Sequence, residues 1–366
     1  LSPVDDDPQR LPPEDDRVKV GRDVKLPSPL RDQADAQPCG TTVLQHLERA
    51  AAAGLDGVLL RTIHEVSPTL DSGLLAEVRA CADDLSLYLE LGVGKVNPYM
   101  TAELPEIRDL GDGSYLEGMV RMITAARDIG CVELWTATAF QKPSLPGIFV
   151  VDRFRTDVRW SEQLRATEGF LRQLAPVLRD LGCHLNLETH EEITSWELLR
   201  LVEAVGPDVV GITFDSANVV VQGEHPAAAA ARVAPWVRQT HLRDVAMFDH
   251  PGGQRRYLTP CGSGVLDWSA LVRTLLAGNP DLHLTIEGAG SHRGGILVPL
   301  EDPRWHASHD DLGSDELAAT VGLAGVYAGR VDRGEAPDEA AFVAGALGDV
   351  DEFILRSSAF LRTVTA

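Results

Sequence analysis

The sequence predicts an α/β protein of the (β/α)8 TIM-barrel class, with an acidic N-terminal arm (1–16) and a C-terminal extension after the last strand. Three observations carry this prediction. From about Thr41 onward, short runs rich in β-branched residues alternate with amphipathic segments rich in Ala, Leu and Arg, the pattern of repeated βα units around a parallel sheet. The alternation gives seven clear strands, with one further candidate ahead of them. Four consecutive strands, moreover, end in a residue able to bind a metal, and strand ends are where barrels build their sites.

Taken in order, the start LSPVDDDPQRLPPEDD is acidic and Pro-rich, unlike a signal peptide, and reads as a flexible arm. Residues 17–366 then read as a single TIM-barrel domain that includes a loop and helical extension at 288–366. The first strand falls to VKVGRDVKL (18–26), polar for a barrel core. Helices near 42–54, 72–84, 115–129, 161–181, 194–205 and 226–234 precede strands near 56–61, 86–91, 131–136, 183–188, 209–215 and 236–242. A helix near 267–277 precedes the strand 282–287. Gly54, Gly130, Gly182 and Gly206 fall where helices should end, and Thr194 and Asp267 suit N-caps. MFDHPGGQRRYLTPCGSG reads as an insertion between the seventh strand and its helix. Past Glu287, a Gly, His and Pro-rich stretch (288–313) leads to helices near 314–330 and 338–363, the last of which can close the barrel. Within that stretch His292, His306 and His309 lack a helix or strand to order them as a second metal site, and WHASHDD (305–311) reads as a solvated lid loop.

Composition narrows the partners. Against 33 Lys and Arg stand 55 Asp and Glu, a formal charge of -22 that repels phosphate backbones and anionic lipid, so no nucleic-acid partner is expected. No apolar run reaches the roughly 18 residues of a bilayer span, so no membrane association is expected either. Cys39, Cys81, Cys131, Cys183 and Cys261 are scattered without CxxC spacing, which fits a reduced, cytoplasmic protein.

LNLETH, ITFDSAN, QTHLRD and LTIEG place Glu188, Asp215, His241 and Glu287 at successive strand ends. Brought together on one barrel face, three carboxylates would repel one another unless a cation neutralised them. Carboxylate with imidazole suits one divalent ion, Mn²⁺ first, with Mg²⁺, Co²⁺ or Zn²⁺ as alternatives. His190 points the same way as Glu188 along an extended strand and is a candidate base or hydroxyl donor. Arg243 stands in the same relation to His241, with Asp244 placed to orient it; Trp135 at the fourth strand end is placed to stack on a substrate ring, and His64 lies past the second. LGVGK (91–95) lacks the spacing of a nucleotide loop.

These residues resemble the xylose isomerase-like barrel superfamily, in particular its sugar phosphate isomerase/epimerase branch, over roughly residues 40–290. LETH, FDSAN, HLRD and TIEG match its Glu, Asp, His and Glu ligands in order, and PCGSGVLDW, with Gly262 and Gly264, is similar to its Gly-x-Gly-x-x-Asp segment. The resemblance implies that Glu188 and Glu287 act as ligands and as acid/base groups together. Epimerases of that branch often carry His where this chain has Asn218, and the extension past Glu287 is longer than theirs. YLELGVGKVNPY, with Lys95 and Asn97, looks similar to larger relatives that process keto-sugars and glycosides, among them the metal-binding subunits of C-glycoside deglycosidases.

The expected activity is that of a divalent-metal-dependent sugar isomerase or epimerase removing a proton α to a carbonyl. The alternative is a lyase of the C-glycoside deglycosidase type that cleaves 3-oxo-glycosides by β-elimination. Phosphodiester hydrolysis would need further ligands and a basic surface, and an inert scaffold would not keep all four ligands. The expected partners are a small carbohydrate and either further copies of the chain or a small companion subunit.

Overall fold

A computed structural model describes residues 17–26, 42–100, 104–142, 144–289, 294–345 and 349–366. The expected arm (1–16), Cys39 and His292 lie outside the described residues. Among the described residues eleven strands are formed: β1 Val20–Val24, β2 Gly57–Leu60, β3 Tyr88–Gly92, β4 Glu133–Thr136, β5 His184–Glu188, β6 Val210–Asp215, β7 Val237–His241, β8 Asp244–His250, β9 Gly253–Thr259, β10 Leu284–Ile286 and β11 Ile296–Val298. Eight of them make one parallel sheet in the order β10-β1-β2-β3-β4-β5-β6-β7. A parallel bridge between Leu242 and Ile286, with Leu242 N–H donating to the Thr285 carbonyl at 2.8 Å, draws its two edges together into a barrel. Helices surround it.

The polar first strand is explained by its partners. Arg22 reaches Asp351 of the terminal helix Val350–Thr365 at 2.5 Å, and Asp23 accepts two hydrogen bonds from Arg61 at the end of β2. The terminal helix packs on β1 and β10, as expected of a segment that closes the ring. The barrel interior below the site is filled by side chains rather than left as a pore. Tyr88 stacks on His283 at 3.9 Å and its hydroxyl meets Thr285 at 2.8 Å. Gly57 and Gly21 leave room for that ring: a Cβ at either would come within 2.1 Å of it.

Helix ends follow local chemistry. Thr194 caps Ser195–Val205 through a capping box with Glu197, and Asp267 caps Trp268–Gly278 through the Ala270 N–H. Gly182 ends the helix Trp160–Leu181 at φ 64°, a left-handed conformation that Gly adopts without steric cost.

Three stretches differ from expectation. The segment read as a plain insertion folds as the antiparallel hairpin β8–β9, turning at Pro251 and Gly252, and β11 from beyond the barrel adds to its edge. WHASHDD is only in part a solvated loop: His306, Ala307, Asp310 and Asp311 are exposed, but Trp305 is 1% exposed and His309 6%. His309 Nε2 lies 2.6 Å from Gln222 Oε1, and the Trp305 and His309 rings stack at 4.2 Å, so apolar burial and paired polar groups seat the segment on the loop after β6. The expected helix 338–363 is formed as Glu339–Ala344 and Val350–Thr365.

Candidate metal centre

Glu188, Asp215 and His241 are the last residues of β5, β6 and β7, and Glu287 follows β10. Asp215 and His241 are register partners on adjacent strands. One ligand atom from each of the four residues lies within 4.8 Å of the others, and all four residues are buried. His241 is fully buried, yet neither ring nitrogen has a hydrogen-bond partner. Buried polar atoms are rarely left so. The orphaned imidazole lies 3.4 Å from Glu188 Oε1 and 3.7 Å from Glu287 Oε2, a donor set of nitrogen and carboxylate oxygen that fits a divalent ion.

The electrostatics point the same way. Burial, together with the Glu287 and Glu188 carboxylates, pushes Asp215 up to about 7 despite the Arg243 guanidinium beside it. Against burial, His241 holds Glu188 below the usual carboxylate range. Glu287 is likewise held well below it, against burial, by Arg243, Arg61 and Lys25. Without a cation between them, three carboxylates this close compete for ionisation.

Neighbours fix the ligands in place. Asp215 Oδ1 accepts from the Ala217 and Asn218 backbone N–H groups at 2.8 and 3.0 Å. Trp135 Nε1 donates to Glu188 Oε2 at 2.9 Å, and Asn218 Nδ2 to Glu188 Oε1 at 3.3 Å. Arg243 hydrogen-bonds Asp215, donates to Asn218 Oδ1 at 3.0 Å and lies 3.1 Å from Glu287 Oε2. His190 sits between Glu192, which it hydrogen-bonds, and Glu191 at 3.4 Å. Burial alone would lower the imidazole, but Glu192, Glu191 and Glu188 outweigh it and raise it to about 9.

A cavity opens over the centre, lined by Glu188, Glu287, His190, Trp135, Arg243 and Lys95 among others. Lys95 lies 4.4 Å from the Trp135 ring centre. Three expected substrate contacts fall elsewhere: Asn218, expected to bind substrate, is 1% exposed, outside the cavity lining, and tied to Glu188 and Arg243. Asn97 gives its amide to Gln163 and takes the Tyr99 N–H, so it shapes a loop, and His64 lies in the short helix Ile63–Val66 outside the cavity lining. Asp244 does not orient Arg243: its carboxylate takes the Gly262 and Leu266 N–H groups and Trp268 Nε1, holding the loop after β9.

Sequence reasoning missed Lys25 and Arg61. Lys25 Nζ is 2.8 Å from Glu287 Oε1, and Arg61 Nη2 is 2.6 Å from the same oxygen. Both lie immediately beyond a barrel strand, so applying the strand-end rule to cations as well as to ligands would have found them. Also missed was the wall that Leu258 of β9 and Gly294 give the cavity.

A family model described as "Xylose isomerase-like TIM barrel" matches residues 47–308. Among curated proteins, "Uncharacterized protein YihM" of Escherichia coli (strain K12) is 31% identical over 170 residues, which is 46% of this chain and 51% of that protein, so the chain spans about half its length. A "3-oxo-isoapionate decarboxylase" of Pectobacterium atrosepticum is 24% identical over 245 residues, 66% of this chain and 75% of that protein. Among solved structures, the apo form of "3-keto-D-glucoside 4-epimerase, YcjR, from E. coli" shares the fold over 83% of this chain and 99% of that one, at 18% identity and a TM-score of 0.51.

Proposed function

Since the chain belongs to the xylose isomerase-like TIM-barrel family, we propose that it is a divalent-metal-dependent sugar isomerase or epimerase acting on a keto-sugar by proton transfer at the carbon next to a carbonyl. The observation that carries this reading is the buried, orphaned His241 imidazole facing three carboxylates at the barrel mouth. Glu188, Asp215, His241 and Glu287 would hold the ion, Mn²⁺ being the first expectation. Bound there, it would supply Lewis-acid polarisation of the substrate carbonyl and its neighbouring hydroxyl, making the proton between them acidic.

The rest falls to the chain's own side chains. Glu188 and Glu287 are the proton acceptor and donor in this reading, since both reach the cavity and both are anchored, Glu188 by Trp135 and Asn218, Glu287 by Lys25 and Arg61. His190, bracketed by Glu191 and Glu192, is suited to donate a hydrogen bond to substrate oxygen rather than to take a proton. Trp135 gives the sugar an apolar face. Leu258 of β9 and Gly294 give the cavity one of its walls.

A second reading is elimination of a group β to the carbonyl of a 3-oxo-glycoside. One curated relative is named for a decarboxylation of a 3-oxo compound, bond cleavage beside an oxo group rather than isomerisation, and supports a lyase. Reaction in D₂O, followed by NMR on Mn²⁺-loaded protein with ketohexoses, their phosphates and 3-oxo-glycosides, tests both. Deuterium at an inverted carbon selects the isomerase, although a shielded single base can hide exchange, so inversion itself is scored. Aglycone release from 3-oxo-glycosides alone selects the lyase. Neither inversion, exchange nor elimination across the panel would contradict proton abstraction as the chemistry of this site.

A further inference from the structure

The proposed metal ligands occupy one half of the barrel mouth, at the ends of β5, β6, β7 and β10. The other half is basic. Lys25 follows β1, Arg61 follows β2, and Lys95 lies three residues past β3, so three successive strands each deliver a cation. All three line the same cavity as Glu188 and Glu287. Lys95 is 5% exposed, its ammonium 4.4 Å from the Trp135 ring and 4.7 Å from that of Phe140, and the Arg61 guanidinium packs on the Trp135 indole at 4.5 Å.

Holding several long cations in a desolvated cavity costs free energy unless charge of the other sign meets them. Part of that charge comes from the protein. Arg61 has Asp23, Arg243 has Asp215, Arg256 has Glu191, Lys25 has Glu287, and Lys95 lies in the field of Glu192. Glu188 is left over, so, His190 set aside, these groups carry one more acid than cation. A divalent ion among Glu188, Asp215 and Glu287 reverses the sign, leaving the loaded site with positive charge in excess. Lys25 and Arg243 lean on carboxylates that would then be shared with the ion, so the excess falls on the cavity side, where a low dielectric magnifies it.

We propose that the basic half of the mouth, formed by Lys25, Arg61 and Lys95, is a subsite for an anionic group on the sugar, a carboxylate or a phosphate ester. The substrate is then an acidic sugar rather than a neutral one. This rests on the reading of the cavity as a sugar site. Lys25 and Lys95 contact the anion through flexible stems, while Arg61, fixed by two hydrogen bonds to Asp23, holds the positive field in place.

The test is calorimetric binding to Mn²⁺-loaded protein, which needs no turnover. The probes are several ketohexoses, each as the free alcohol, the 6-uronate and the 6-phosphate. At least one charged form should bind about tenfold or more tighter than its neutral twin, the worth of one charge-assisted hydrogen bond. Lys95→Met should bring the twins to near parity with metal content unchanged, and Lys95→Arg should restore part of the preference. The uronate and phosphate arms identify which anion is meant. Equal binding of charged and neutral twins would overturn the proposal. So would a Lys95→Met loss shared equally by both, which would mark the stem as packing for Trp135. Binding of neutral sugars alone would remove the anion subsite and leave the sugar reading standing. Failure of every sugar to bind metal-loaded, folded protein would remove the sugar reading and this proposal with it.

Discussion

His190 separates the chemistry of the proposed centre from its assembly. It lines the cavity but its ring is held by Glu191 and Glu192, so it has no need of the ion to stay in place. His190→Ala should therefore keep its metal, read by plasma mass spectrometry, and lose kcat by roughly a hundredfold, the usual cost of removing a donor aimed at a reacting oxygen. Near-normal kcat would make it a structural residue. A second histidine gives a pH-dependent stability. His46 is 3% exposed, its Nε2 has no hydrogen-bond partner, and burial, with Arg22 and Arg49 nearby and only Asp351 opposing, lowers it to about 4. Its unfolded value is 6.5. Between those values the unfolded chain binds a proton that the folded one refuses, so this contribution is intact above about pH 6.5 and is lost as pH falls toward 4. The loss is on the order of 2–3 kcal/mol. Denaturant midpoints at pH 7 and 4.5 should show His46→Gln losing less stability on acidification than the wild type by that order; an identical loss would contradict the assignment. At this scale the proposed ligands were legible because each ends a strand. Lys25 and Arg61 were not, since a search confined to acids and His passes over cations, and Asn97 and His64 were misplaced because nearness to a strand end does not fix where a side chain points.

Among the elements, the seven strands with plain apolar runs were legible to within about two residues, because buried parallel strands have little freedom in composition. The hairpin β8–β9 was hidden by the choice to read its stretch as an insertion, although HPGG between DVAMF and QRRYLT carries the turn signal that joins two strands. The short helix Pro303–His306 was hidden by its polar composition. Trp305 anchors it, 1% exposed and close enough to the backbone at Gly223 that a Cβ there would come within 2.7 Å of its ring. Trp305→Ala should destabilise the fold by about 3–5 kcal/mol, seen as a lowered thermal midpoint. A loss under about 1 kcal/mol would show the segment to be loosely seated after all.

At the scale of the whole molecule, the barrel gathers acids from one run of strands and cations from another over a single cavity, in a chain whose formal charge is -22. Among the described residues no helix is long and apolar enough to cross a membrane. A folded barrel that gathers three carboxylates should gain stability from a divalent ion, because only the folded chain assembles the ligands. At a free concentration of about 100 times Kd the gain is about 2.7 kcal/mol, so the thermal midpoint should rise on adding Mn²⁺ to chelator-treated protein. No rise with Mn²⁺, Mg²⁺, Co²⁺ or Zn²⁺ would argue against linkage between the ion and the fold. The most direct measurement is metal stoichiometry by plasma mass spectrometry on wild type and Asp215→Ala, each folded by circular dichroism and dialysed alike after loading with Mn²⁺. The wild type should hold about one ion per chain, and the variant, left with two carboxylates and an imidazole, well below half of that. Equal occupancy in the two proteins, or none in the wild type, would contradict a metal centre at the barrel mouth.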